Sequence, residues 1–164
     1  MQNYYLVGKR RAGKDTVGEI MQKRFGFEIA HMTTPIYEIA RAYFGMVGKD
    51  RALLQSIGDA LRQVDPDVLL RHVMLVGEKA STVCADVRLH HEGEVLHANG
   101  WIGIRIERPE AERIKAIKLA GEDLTGPVAD HATEQEVDHV PVDYVIWNAG
   151  TLDELAETVS TIVR

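Results

Sequence analysis

Gly8-Lys9-Arg10-Arg11-Ala12-Gly13-Lys14-Asp15-Thr16 follows the apolar run Tyr4-Tyr5-Leu6-Val7 and precedes Val17, Ile20, Met21 and Phe25, apolar residues at helical spacing. The stretch nearly matches G-x-x-x-x-G-K-[ST], in which glycines permit a tight loop whose main-chain N–H groups turn inward. Those donors and the N-terminus of the following helix make an anion site. Lys14 adds a mobile cation that can reach the β- and γ-phosphates of a bound nucleotide. Glycine and lysine also meet in ordinary turns, but a strand before and an amphipathic helix after are the context this pattern requires. One slot departs from it: Asp15 stands where Ser or Thr would hold Mg²⁺, and Thr16 comes one residue later. Two arrangements are open. Asp15 holds the metal, directly or through water, since carboxylate oxygens suit Mg²⁺; or Thr16 binds a phosphate while waters fill the metal's shell.

Working outward, Gly26 ends the first helix and 27–30 reads as a second strand. Residues 35–44 place Ile36, Ile39, Ala40, Tyr43 and Phe44 on one helical face; 51–64 do the same with Leu53, Leu54, Ile57, Ala60, Leu61 and Val64. Asp65-Pro66 reads as an N-cap with proline at the first helical position, opening a helix to about Val76. Three helices in a row predict a helical insert over 32–78. Further strands are expected at Ser81–Val87, Trp101–Ile106 and Asp143–Trp147, with His90-His91 in a turn after the first of these. Residues 109–139 are mostly polar, so they are read as a helix followed by a mobile loop that supplies little core. Thr151-Leu152-Asp153-Glu154 has capping-box spacing and opens a helix with Leu152, Leu155, Val159, Ile162 and Val163 on one face. Strands separated by helices imply a parallel sheet covered on both faces, an α/β fold whose ligands sit beyond the carboxyl ends of the strands. Gly8, Asp86 and Arg108 end three of those strands and are expected to converge on one edge.

Composition narrows the function. With 164 residues the chain fits one domain, and 45% hydrophobic and 27% charged residues suit a soluble protein. No apolar run is long enough to cross a bilayer, and the charges near the N-terminus follow the apolar run, the reverse of a secretory signal. A single cysteine, Cys84, rules out an intrachain disulfide and fits a cytoplasmic setting; its apolar neighbours Val83 and Ala85 make it a buried small hydrophobe. A net charge of −6 argues against nucleic acid as partner, while the local clustering of Lys9, Arg10, Arg11, Lys14, Arg105, Arg108 and Arg113 suits a small anion. A homodimer is compatible with all of this.

The loop GKRRAGKDT resembles that of the phage-type deoxynucleoside monophosphate kinases and the related phosphomevalonate kinases, and is close to the GKGT loop of adenylate kinases, with Asp15 in place of Gly. Gln55–Arg71 is similar to the family's second helical block, Ala85-Asp86-Val87-Arg88 to its D-[VT]-R motif, and Ile104–Pro109 to the strand leading into its lid. His131-Ala132-Thr133-Glu134 with Asp138 resembles its H-x-[ST]-E…D element, and Asp143–Leu155 its final strand and helix start. Pro35-Ile36-Tyr37 stands where the family's P-x-K carries a lysine. The resemblance implies a P-loop NTPase three-layer fold over 1–164, with an acceptor-binding insert at 32–78, a lid over 108–139, and ATP and Mg²⁺ as donor and metal.

Under that resemblance Gly8, Arg11, Ala12, Gly13, Lys14, Asp15, Thr16 and Asn148 bind the donor nucleotide, with Asp15 and Thr16 at the metal and Asn148-Ala149-Gly150 under the base. Lys14, Asp86, Arg108 and Arg113 are the catalytic candidates, the two arginines reaching the transferring phosphate as the lid closes. Arg10, Arg62 and Arg88 are expected at a small phosphate-bearing acceptor, by the bidentate fork of guanidinium on phosphate. Plainer readings stand beside these: Asp86 as a helix cap, Arg88 as a solvated loop cation, Arg108 and Arg113 as part of a charged helix face. The implied activity is ATP-dependent phosphoryl transfer to a (deoxy)nucleoside monophosphate. Another phosphorylated metabolite such as phosphomevalonate, a non-catalytic nucleotide-binding regulator, and a nucleic-acid 5′-end kinase are the alternatives.

Overall fold

Tyr4–Val7 (β1) lies at the centre of a sheet and all four of its residues are fully buried. The structure, a computed structural model, describes residues 1–121 and 136–163. Four more strands, Glu28–Ala30 (β2), Thr82–Cys84 (β3), Ile102–Glu107 (β4) and Tyr144–Trp147 (β5), complete the order β2-β3-β1-β4-β5. Every pairing is parallel, with Tyr5 opposite Cys84 on one side and Gly103 on the other. A parallel strand needs a crossover to its neighbour, and the helices supply it. They are Lys14–Phe25 (α1), Thr34–Phe44 (α2), Arg51–Val64 (α3), Val68–Gly77 (α4), His90–Ala98 (α5), Glu110–Leu119 (α6) and Leu152–Ile162 (α7), with a 3₁₀ turn at Val137–His139.

Alternation along the strands divides the core in two. Tyr4, Leu6, Ile104 and Ile106 face α1 and α7 and pack with Val17, Met21, Leu155 and Val159. Tyr5, Val7 and Cys84 face the other way and pack with Ile36, Val73 and Leu96. Cys84 is buried, as its apolar neighbours predict. No helix among the described residues is long and apolar enough to cross a membrane.

Several boundaries follow local chemistry. Gly26 adopts φ 75 and its N–H closes α1 onto Gln22 and Met21 carbonyls. Asp50 caps α3 by accepting from Leu53 N at 3.0 Å. Asp65 does not open α4 as expected. It ends α3 in an extended conformation, as a residue before proline prefers, and its carboxylate accepts from Asp67 N (3.0 Å). That turn keeps Pro66 and Asp67 outside, so α4 starts at Val68.

Two further expectations are corrected. His90-His91 starts α5 rather than forming a turn: Glu92 Oε2 accepts from Arg88 N (2.9 Å) and Leu89 N (3.0 Å), a carboxylate cap with no Ser, Thr, Asp or Asn at the usual position to announce it. The polar segment 109–139 places Ile117 and Val137 in the core among its described residues, the small share expected of it, with Val140 just beyond. The apolar faces of the outer helices are narrower than their spacing implies. Leu152, at 62% exposure, points to solvent, as do Tyr43, Phe44 and Val64, because the neighbouring layer covers only the central turns.

Candidate functional site

The loop from Gly8 to Gly13 leaves β1 at the carboxyl edge of the sheet and enters α1. It is held by Ala12 N donating to Lys9 O (3.1 Å) and opens α1 with Val17 N on Gly13 O (3.0 Å). Gly13 sits at φ 109, and Arg11, at φ 61, is a non-glycine residue in the left-handed region. Glycine is required here by contact as well as by torsion. A Cβ on Gly8 would stand 2.5 Å from the main-chain oxygen of Ile106, and one on Gly13 would stand 2.5 Å from Asn148 Nδ2. Lys14 folds back over the loop and donates Nζ to Gly8 O (2.5 Å) and Lys9 O (3.2 Å), so its ammonium lies along the loop it serves. Asp15 is exposed in the first turn of α1 and Thr16 is half-buried beside it.

The neighbouring strands bring the other candidates to this edge. Asn148 follows β5, donates Nδ2 to Ala12 O (2.9 Å) and places its own N–H on Glu107 O (2.7 Å), tying loop, β4 and β5 together. Arg108 and Arg113, at the start of α6, reach Arg11 O and Arg10 O, each at 3.4 Å. Both guanidinium groups therefore already lie against the loop's main chain. Arg10 is half-buried and Arg11 exposed.

On the β3 side, Asp86 accepts from Met32 N (3.1 Å) and from Cys84 Sγ (3.3 Å) through Oδ1, and its Oδ2 lies 3.9 Å from His31 Nδ1. Burial, and then the charge of Asp86, push the Cys84 thiol well above its usual range, which keeps it a donor. Arg88 and Arg62 are exposed, Arg88 on the turn into α5 and Arg62 on α3. Burial raises the carboxyl of Glu92 above its ordinary value; the Arg88 and Leu89 N–H groups oppose this, Asp86 adds to it and Arg62 opposes it. Asp86, Glu92 and Arg62 thus share one electrostatic neighbourhood.

Between loop and β4–β5 lies a cleft of about 560 Å³, walled by Lys9, Arg105, Arg108, Arg113, Asp138 and Trp147 among others. Lys9 Nζ pairs with Asp138 Oδ2 at 3.1 Å. Arg105, 12% exposed, donates to Asp138 O (2.9 Å) and Val140 O (2.7 Å) and so pins the 3₁₀ turn to the sheet. Sequence reasoning gave Lys9 and Arg105 only as members of a basic cluster, and Trp147 only as a strand residue. The alternation along β4 and β5 was the available signal, since Arg105 and Glu107 share a face and Trp147 registers with Glu107. His131 and Glu134 lie outside the described residues.

No protein-family model matches the chain, and no curated protein matches its sequence. Solved structures do match. The shikimate kinase from Acinetobacter baumannii in complex with shikimate is 18% identical, with a TM-score of 0.60 over 99% of this chain and 93% of that one. The shikimate kinase from Bacteroides thetaiotaomicron is 10% identical, with a TM-score of 0.60 over 99% and 98%. The dephospho-CoA kinase from Campylobacter jejuni is 14% identical, with a TM-score of 0.53 over 99% and 95%. At these identities the likeness is one of fold, and a glycine loop of this form leaving the central strand of a five-stranded parallel sheet gives the chain the fold of the small P-loop kinases.

Proposed function

We propose that this protein transfers the γ-phosphoryl group of ATP to a small acceptor, and that the acceptor is a (deoxy)nucleoside monophosphate. One observation carries the transfer chemistry: a glycine-lined loop, with no room for a Cβ at Gly8 or Gly13, is bordered by Lys14, Arg108 and Arg113. Three cations gathered on one short glycine loop complement a polyphosphate and the charge that spreads over a transferring phosphoryl group.

The residues suit the donor and its metal. Mg²⁺ binds through one or two carboxylates together with substrate phosphates and water. Asp15, with Thr16 beside it in the first turn of α1, would hold the ion, which would supply neutralising charge to the donor phosphates. Lys14 neutralises the donor phosphates, and Arg108 and Arg113 add to it from the segment that opens α6. Asp86, fixed through one oxygen by Met32 and Cys84, orients the acceptor with the other. Arg10, Arg62 and Arg88 hold the acceptor's own phosphate, with the insert α2–α4 forming that side.

The similar structures broaden the acceptor choice, because shikimate kinase and dephospho-CoA kinase carry in their names acceptors that are not nucleoside monophosphates. An ATP-consumption screen across deoxynucleoside and nucleoside monophosphates, phosphomevalonate, shikimate and dephospho-CoA separates these. Turnover with a monophosphate of one base or sugar supports the proposal. Turnover only with shikimate or dephospho-CoA moves the acceptor class. Tight ATP binding without transfer to any acceptor makes the protein a nucleotide-binding regulator.

A further inference from the structure

Trp147 is the last residue of β5 and is 63% exposed on the wall of the cleft that also holds Ala12 of the phosphate loop, Arg108 and Arg113. The other tryptophan, Trp101, is 4% exposed and packs against Gly77 at the far end of β4. A tryptophan left in water forgoes the large apolar area it could bury, so its place at the rim of a cleft calls for an occupant. Its position relative to the loop is fixed. The next residue, Asn148, bonds to Ala12 O at 2.9 Å and to Glu107 O at 2.7 Å, and Trp147 itself registers beside Glu107. The cleft therefore sets a flat aromatic face beside the loop proposed to hold the phosphates. Aromatic faces beside phosphate-binding surfaces capture nucleobases by stacking, which requires no hydrogen-bond code.

We infer that Trp147 is the stacking platform for the base of the phosphoryl donor, making this cleft a nucleoside triphosphate site rather than a site for polyphosphate alone. This rests on the nucleotide-binding reading above and adds the residue that grips the nucleoside. The β4–β5 side of the loop takes the donor's base, and the β3 side, with Asp86 and Arg88, is left for the acceptor.

The test compares ATP with inorganic tripolyphosphate on the full chain, by calorimetry and tryptophan emission, in wild type, Trp147→Leu and Trp147→Phe. ATP should change wild-type emission and tripolyphosphate should not. Trp147→Leu should lose that signal and bind ATP about 5- to 150-fold more weakly, the range of one base–aromatic stack, with tripolyphosphate affinity unchanged. Trp147→Phe should keep most of the ATP affinity. The inference is overturned if Trp147→Leu binds ATP as wild type does, or if both ligands weaken equally. It is also overturned if the substitution alters only the oligomeric state, which would make Val145 and Trp147 an edge-strand contact; both are exposed on one face of β5. A wild-type chain that binds tripolyphosphate but shows no preference for ATP sinks this inference and spares the phosphate loop. A chain that binds neither sinks both.

Discussion

Gly8 is the residue on which the site depends most directly. Its missing side chain lets the loop rest against Ile106 O, a main-chain atom that cannot swing aside. Gly8→Ala is therefore expected to destabilise the fold by about 1–3 kcal/mol, as overpacking does, and to abolish ATP binding in calorimetry; unchanged affinity would contradict the cradle. Lys14→Ala is expected to leave the fold intact and to remove the cation proposed for the donor phosphates. By analogy with loss of one oxyanion-hole donor, it should lower kcat about 10²- to 10³-fold, with wild-type turnover as the contrary result. Tyr5 gives a pH signature. Burial, and then the charge of Asp143, raise its phenol to about 12 from 10.0, while its hydroxyl donates to Pro141 O at 2.6 Å. The unfolded chain gives up this proton before the folded one does. The contribution is whole below pH 10 and is lost as the pH climbs toward 12. Denaturant midpoints measured from pH 9 to 11.5 should fall more steeply in wild type than in Tyr5→Phe; equal slopes would show that Tyr5 carries no such linkage.

Among the elements, α7 and α5 illustrate opposite degrees of legibility. The capping box of α7 is written in its first residues, and the side chains of Thr151 and Glu154 make the reciprocal bonds that the spacing implies. The Thr151 N–H, before any other cause, holds the Glu154 carboxyl below its usual value. Helix α5 has a glycine at its centre and opens on two histidines, so nothing local announces it; Glu92 supplies the cap by reaching back to the preceding turn. Gly93 then reverses an ordinary rule. Gly→Ala inside a helix normally stabilises by up to about 1 kcal/mol. Here the added Cβ would meet Val140 and Pro141, the latter at 3.2 Å. Gly93→Ala should therefore lower the melting temperature, and a rise would mean that the turn after Val137–His139 yields easily.

The whole molecule is one sheet with apolar clusters on its two faces, α1 and α7 on one side and α2 to α5 on the other. Leu96 is fully buried in the second cluster, and Leu96→Ala should cost about 2–5 kcal/mol. Scanning calorimetry should show one transition moved down, since both clusters share the strands between them. ATP at a hundred times its dissociation constant should restore about 2.7 kcal/mol to that variant, because the proposed ligand site lies at the sheet edge and not in the cluster. The same ATP should restore nothing to Gly8→Ala. A Leu96→Ala protein that ATP fails to stabilise would place the ligand against that core instead.

The sequence by itself determined the strands, the three consecutive helices after β2 and the glycine loop between β1 and α1, because each rests on contacts within a few residues: periodicity, caps and glycine torsions; the alternation of strands with helices then implied the parallel sheet. Only the tertiary structure decided that Arg108 and Arg113 reach the loop's carbonyls, that Asp138 answers Lys9, that Cys84 and Met32 anchor Asp86, and that Trp147 faces the cleft. Cys84 and Asp86 apart, those relations join residues tens of positions apart, and pairing between strands sets them; no local pattern encodes which strand will lie beside which.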